Sequence, residues 1–291
     1  MRDSGSCRST FGAAAGQPEF GIVIIAGTLV VATVALATDV LFGYPDRVFR
    51  MIGHPVTWIG AGIALMDRRL NRDTLPERRR RLNGVAALLL LALIPVLLAV
   101  ALQQVAFALL PHAVALGLLG LLAGTLVAQR SLWHHVRAVL DALEQGGLAG
   151  GRQAVSQIVG RDPDRLDESG VVRAAIESLA ENFSDGVVAP LLWCAVFGLP
   201  GIVFYKAINT ADSMIGHLTP RHAAFGWASA RLDDAVNLPA SRLAALWLVL
   251  AAAVSKTADA VEQPSQYAAM PRITAPPMPA GRKRPWPVRS G

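Results

Sequence analysis

The run from Gly84 to Leu110 carries no charged side chain, and directly before it Asp67–Asn83 holds seven arginines: Arg68, Arg69, Arg72 and Arg78 to Arg81. About 20 apolar residues cross a bilayer as a helix, and in lipid only helices or closed barrels satisfy their own backbone. A short loop this basic stays on the cytoplasmic side. Together the two features predict an all-α, multi-pass integral membrane protein with its orientation set by arginine. Composition agrees. The chain is 53% hydrophobic and 16% charged, with mean hydropathy +0.42, whereas a soluble domain has about 25% charged residues. The net charge of +6 sits largely in clustered arginines. No aromatic-interleaved basic stripe accompanies them, so nucleic acid is not an expected partner.

Other segments fill in this outline. Residues 1–20 lack an apolar period and read as a disordered head. Gly21–Phe42 is long enough to span and too long for a signal-peptide core. The stretch DVLFGYPDRVFRMIGHPVTWIG is a loop with turns at Gly43, Pro45, Gly53 and Pro55, and its ionisable groups are Asp39, Asp46 and His54. A lone His beside Pro is more often structural than catalytic. Val56–Met66 is too short to span and is expected at the interface or re-entering. Ala113–Ala128 returns after Pro111, giving a hairpin with Gly84–Leu110. Arg130, Trp133, His134, His135 and Arg137 form a second cytoplasmic set, the adjacent histidines pointing about 100° apart and so not sharing a metal. Ala138–Ala175 is more soluble in character, with two amphipathic helices around Gly146, Gly147, Gly150 and Gly151. Asp162 or Asp164 suits a turn, and Asp167 a helix cap. Arg161, Arg165 and Arg173 suit either phosphate binding or local salt bridges. No Walker or GxGxxG motif occurs. Cys7 and Cys194 have no metal or disulfide spacing, and Cys194 reads as a packing residue. Leu243–Val254 is apolar but short. Four or five crossings result, within one membrane-embedded domain over residues 21–254.

The chemistry concentrates in Ile176–His217, a polar cluster, an apolar segment and a second polar cluster. On a helix Glu177, Glu181 and Asp185 share a face, with Asn182 beside them. Asn209, Asp212 and Ser213 follow the apolar segment, then His217. Asp233, Asp234 and Asn237 make a third trio, with Arg221 and Arg231 as counter-charges. A carboxylate row is ordinarily a solvated face, but polar groups at a membrane boundary are costly unless used. Val187–Phe204 contains Pro190, Gly198, Pro200 and Gly201. A single full crossing there would separate Asp185 from Asp212. The interruptions favour a broken or re-entrant path that returns both clusters to one cytoplasmic chamber.

The motifs DVLFGYPDR, GHPVTWIG, QRSLWHHV, IVGRDPDRLDE, RAAIESLAENFSDGVVAPLLW, GLPG, YKAINTADSMIGH, FGWASARLDD and RLAAL resemble, in order, those of the adenosylcobinamide-phosphate synthase (cobinamide synthase) family of cobalamin biosynthesis. The resemblance covers about residues 25–250. It implies an enzyme of the bacterial inner membrane that joins aminopropanol, free or O-phosphorylated, to a propionate of adenosylcobyric acid. The bond is an amide, made with ATP and Mg²⁺. On that basis Glu181, Asp185, Asp212 and Asp233 are candidate metal ligands. Glu177, Asn182, Asn209, Ser213, Asp234 and Asn237 are candidates for substrate and ATP binding. His217 or His54 suits the base that takes the amine proton, and Lys206 or Arg231 suits a phosphate or developing negative charge. The expected partners are the corrinoid, the amine, the bilayer and other enzymes of the pathway. Two further classes fit parts of the pattern. Asn209-x-x-Asp212 with Asp233-Asp234 is compatible with an Mg²⁺-dependent prenyltransferase-like enzyme, and buried carboxylates with a membrane corrinoid carrier.

After about Ser255 the resemblance is expected to stop. Residues 255–291 are rich in Pro and Arg and read as disordered. Members of the family usually continue with SPNAGWPEAAMAGALG. One choice of codons for Thr274–Gly291 spells that peptide in a neighbouring reading frame, so the tail is expected to be out of frame, with the shift near residues 255–268, and the chain as written is expected to lack that motif. Coding DNA whose codons for Thr274–Gly291 cannot encode the peptide in another frame would end this reading.

Overall fold

The computed structural model describes residues 18–158 and 163–254. The expected tail, most of the head, Cys7, Arg161 and Asp162 lie outside the described residues. Among the described residues every regular element is helical. The α-helices there are α1 (Pro18–Phe42), α2 (Asp46–Ile52), α3 (Pro55–Leu70), α4 (Glu77–Leu109), α5 (His112–Gly124), α6 (Gln129–Val155), α7 (Glu168–Phe183), α8 (Ala189–Phe197), α9 (Leu199–Ile215) and α10 (Trp227–Val254). Among the described residues five stretches are long and apolar enough to cross a membrane: Ile25–Phe42, Arg47–Leu70, Glu77–Leu109, His112–Val155 and Trp227–Val254. The chain divides into residues 1–245, which hold the bundle, and residues 246–291, of which the last turns of α10 are described.

Local chemistry explains the boundaries. Pro76 precedes α4, and Pro111 ends the α4 turn and starts α5. α6 is broken at Gly147 (φ 58°, ψ −152°), giving the two amphipathic helices expected around the glycines. Asp167 caps α7 by accepting the Gly170 amide at 2.7 Å. That bond and the Ser169 hydroxyl hold its carboxyl below the usual range. Leu243–Val254 is the end of α10, a helix that runs through Pro239 and also carries Asp233, so it is part of a long element rather than a short one.

Packing is organised around α9. Leu199 and Ile202 join the cluster of α1, α4, α5 and α8. Tyr205 and Ile208 join that of α8 and α10. Ala211 and Ile215 join that of α3, α4 and Phe225. α4 meets this core through Ala92, Ala99 and Ala106, small residues at heptad spacing that allow close approach. Its outer side, including Leu89, Leu93 and Leu97, is exposed as a lipid-facing surface would be. Cys194 is fully buried in the first cluster, as a packing residue. α6 and α7 build a separate small core around Val139, Val155 and Val171.

The interrupted segment is a helical hairpin. α7, a π-helical turn (Ser184–Val188) and α8 run on without a break, and the chain reverses at Gly198 (φ 68°, ψ −149°). The tip sits against Gln103 and Thr28, and Thr28 donates its hydroxyl to the Ala195 carbonyl at 2.6 Å. Gln103 is near the C-terminal end of α4, whereas Ile215 packs with Ala87 and Leu88 near the arginine-bearing start. Asp185 and Asp212 are 13 and 14 positions from Gly198, so both stand about 20 Å from the tip at 1.5 Å per residue. Two legs, rather than one broken crossing, bring them to the same end.

A second joint fixes α1 to α6. Asp39, 4% exposed in the last turn of α1, accepts the Arg130 amide at the start of α6 at 2.9 Å. Arg130 returns its guanidinium to the Val40 and Leu41 carbonyls at 3.0 and 3.1 Å. Each helix end thus caps the other. Asp39→Ala is expected to cost about 1–2 kcal/mol, the range for losing a cap at a helix start, read as a lower melting temperature. Arg130→Ala should cost less, because its guanidinium is exposed. An unchanged melt for Asp39→Ala would refute the joint.

Candidate functional site

Asp185 lies in the π-turn between α7 and α8, a distortion that recurs at functional sites. The turn breaks the expected carboxylate row. Glu177 and Glu181 remain exposed on α7, while Asp185 is half-buried. Tyr205 of α9, fully buried, offers its hydroxyl to the Asp185 carbonyl at 3.2 Å and to Asn237 Oδ1 at 2.9 Å. Asn237 Nδ2 then donates to Asp233 Oδ2 at 2.8 Å. Three elements, the π-turn, α9 and α10, are pinned together by these contacts.

The charged groups meet in the same place. Lys206, 9% exposed, is paired electrostatically with Asp185. Asp185 also lies within range of Glu181 and Asp212. Asp233 feels both Asp212 and Asp185, and the Asn209 side chain lies beside it. Asp212 is further flanked by Asp234 and His217. Three central carboxylates face one ammonium, and Asp233 Oδ1 is buried with no hydrogen-bond partner. Buried unbalanced carboxylate is expensive, so the donor set fits a cation. Among the described residues no three His, Cys, Asp or Glu side chains form a closed metal cage.

Two adjoining cavities lie on the α6 side of the π-turn, the first reaching Gly186 next to Asp185. One, of about 390 Å³, is lined by Ser131, His135, Ser178, Asn182 and Gly186. The other, of about 430 Å³, is lined by Asp39, Tyr44, His54, Arg130 and both His134 and His135. They share Ala128, Ser131 and His135; the Ala128 amide donates to the Gly186 carbonyl of the π-turn at 3.0 Å, and Gly186 lines the first.

Of the residues singled out from sequence, Asp185, Lys206, Asn209, Asp212, Asp233 and Asn237 converge. Glu181 is at the edge, and Glu177 is more remote on the exposed face. Asn182 lines the first cavity and is held by the Ser178 carbonyl at 2.8 Å. His54 lines the second, where its Nδ1 accepts the Val56 amide and caps α3, and it is within electrostatic range of Lys206. His217 and Ser213 are exposed. His217 Nε2 is 2.9 Å from the Ser213 carbonyl, and the Ser213 hydroxyl donates to the Asn209 carbonyl. Asp234 and Arg231 are exposed on α10. Sequence reasoning missed Tyr205. Tyr205, Asn209 and Asp212 fall at i, i+4 and i+7 on one helix face, but that spacing alone does not separate Tyr205 from a packing residue.

Among known proteins, no solved structure matches the chain. A family model described as "CobD/Cbib protein" matches residues 32–275, past the expected limit near Ser255. Relatives named "Cobalamin biosynthesis protein CobD" include one from Sinorhizobium sp, 50% identical over 80% of this chain and 72% of its own. One from Rhodobacter capsulatus is 53% identical over 78% of this chain and 71% of its own. One from Brucella suis biovar 1 is 46% identical over 81% and 71%. With most of its length matched by the family model and about half its aligned residues shared with such relatives, the chain belongs to the CobD/Cbib protein family.

Proposed function

We propose that the chain acts in cobalamin biosynthesis as an ATP-dependent ligase. It would join the amine of aminopropanol, or of its O-phosphate, to a propionate of adenosylcobyric acid. The observation that carries the reading is the convergence of Asp185, Lys206 and Asp212 of the hairpin with Asp233 of α10 in a chain of this family. In the first step a propionate oxygen attacks the γ-phosphorus of ATP, giving an acyl phosphate and ADP. In the second the amine attacks the acyl carbon, phosphate leaves, and the amine gives up a proton. Mg²⁺, when bound, would neutralise phosphate charge during transfer. Two of Asp185, Asp212 and Asp233 would hold it, with Asn209 and Asn237 orienting Asp233. Lys206 would meet the transferring phosphate, because it is the cation at the centre of the cluster. For the proton, His54 is better supported than His217, since it lines a cavity with room for the small amine and is within electrostatic range of Lys206. ATP supply favours a working face on the arginine-loop side, the cytoplasmic side of a bacterial inner membrane.

The test uses purified protein in nanodiscs with adenosylcobyric acid, Mg²⁺, ATP and either amine. Mass spectrometry should show the amide product with one phosphate released per corrinoid, and the preferred amine answers the substrate question. Corrinoid uptake into vesicles without covalent change would instead make the protein a carrier. Diphosphate release from a prenyl diphosphate would make it prenyltransferase-like. Complementation of a cobinamide-synthase-deficient strain should be run with this chain and with a version read in the neighbouring frame over Thr274–Gly291.

A further inference from the structure

We infer that the groove between α3 and α4 is a binding site for an anionic phospholipid, with an acyl chain along the groove and the headgroup at the arginine loop. The groove has a volume of about 520 Å³, and its lining residues include no charged side chain and one hydroxyl, Thr125. On α3 it follows Pro55, Ile59, Gly62 and Met66, a run of about 17 Å at 1.5 Å per residue. The same helical stripe continues one turn further to Arg69, so the apolar lane leads directly to positive charge. The far wall is α4 from Leu90 to Leu102.

The arginine loop is held at that end of the groove, and five of its seven arginines are not otherwise engaged. Asn83 Nδ2 donates to the Leu70 carbonyl at 2.8 Å, and Arg80 Nε to Asn71 Oδ1 at 2.7 Å, so the start of α4 is clasped to the end of α3. Arg80 is used in this clasp, and Arg81 stacks over Trp227 at 4.4 Å. Asp67 is taken by Arg221 at 2.8 Å, and Asp73 lies 3.6 Å from Arg80. By contrast Arg68, Arg69, Arg72, Arg78 and Arg79 are exposed and have no side-chain hydrogen bond or ion pair among the described residues. Five guanidinium groups against the single remaining carboxylate of the loop, Glu77, beside a chain-wide apolar lane complement a phosphate headgroup carrying net negative charge. A zwitterionic headgroup would leave them unbalanced. Trp58, exposed on the groove wall with its Nε1 donating to the Ile52 carbonyl at 2.9 Å, is placed to contact the chain.

The experiment measures binding of phosphatidylglycerol and phosphatidylcholine with identical chains to the delipidated full chain in detergent, by native mass spectrometry. Phosphatidylglycerol should bind selectively. The triple change Arg68→Gln, Arg69→Gln and Arg72→Gln should weaken it about a hundredfold, each basic residue being worth roughly fivefold near an anionic headgroup. Gly62→Phe, which fills the groove and leaves the arginines, should weaken both lipids. Lipids with brominated chains should quench Trp58 fluorescence, a signal absent in Trp58→Phe, and this reading does not depend on the folding of Gly62→Phe. Equal binding of the two lipids, selectivity retained by the triple variant, full displacement by glycerol phosphate alone, or no quenching of Trp58 would each overturn the site.

Discussion

Asp185→Asn and Asp212→Asn are each expected to lower the ligation rate by about 10²–10³-fold, the loss typical for removing one preorganised electrostatic contact to a transition state. The two residues come from opposite legs of the hairpin, and neither is close to the other in sequence. A shared Mg²⁺–phosphate site predicts that both variants fail in the same way. Each should need more Mg²⁺ for half-maximal rate, and the double variant should lose much less than the product of the single losses, because groups that act as a unit are not additive. Asp212→Asn preserves size and polarity and should melt near the parent, whereas Asp185→Asn removes the carboxylate that faces buried Lys206 and should melt lower. Near-normal rates in both single variants would refute the metal assignment while leaving the family and the fold untouched. Normal Mg²⁺ dependence with a reduced rate would move these carboxylates from metal binding to positioning.

Why Asp185 and Asp212 are legible as partners in the sequence, and Tyr205 is not, follows from what periodicity reports. The glycines and prolines around Gly198 advertise a break in an apolar run, and a reversal at that break brings both polar clusters to one end. Whether the break is a kink or a reversal depends on contacts with Thr28 and Gln103, which lie far away in the chain. Tyr205 reads as one more large residue in an apolar helix. Its hydroxyl matters because a π-turn frees the Asp185 carbonyl, and nothing in the local pattern announces that turn. The same turn explains why the Glu177–Glu181–Asp185 row does not survive as one face. Asp39 is visible only as a lone acid in an apolar run, since its partner Arg130 is 91 positions away. The α10 helix reads as two pieces because Pro239 separates its acidic trio from its apolar end, and tertiary packing overrides that signal.

The hairpin itself is most exposed to test at Gly201, where the largest loss of stability is expected. A Cβ there would sit 2.1 Å from the Trp193 carbonyl oxygen and 2.8 Å from Phe197 Cβ. The first of these is backbone, which cannot turn aside as a flexible side chain can. Even Gly201→Ala must push the legs apart, and Gly201→Leu should cost about 3 kcal/mol or more, at or beyond the usual range for overpacking. Because α9 belongs to three packed clusters, the displacement would also separate Asp212 from Asp185, so activity should fall with stability. Gly198→Ala is a milder case. Its positive φ is unfavourable for alanine, at about 1–2 kcal/mol, but its close neighbour is the movable Gln103 side chain at 2.9 Å. At Gly117 on α5, a Cβ would meet no atom within 4 Å, so Gly117→Ala should be neutral or stabilise by about 0.5–1 kcal/mol. The melting temperatures should therefore fall in the order Gly117→Ala, Gly198→Ala, Gly201→Ala, Gly201→Leu. A Gly201→Leu protein that melts with the parent would show that α8 and α9 are not packed legs, and Asp185 and Asp212 would then lose the scaffold that places them at one end.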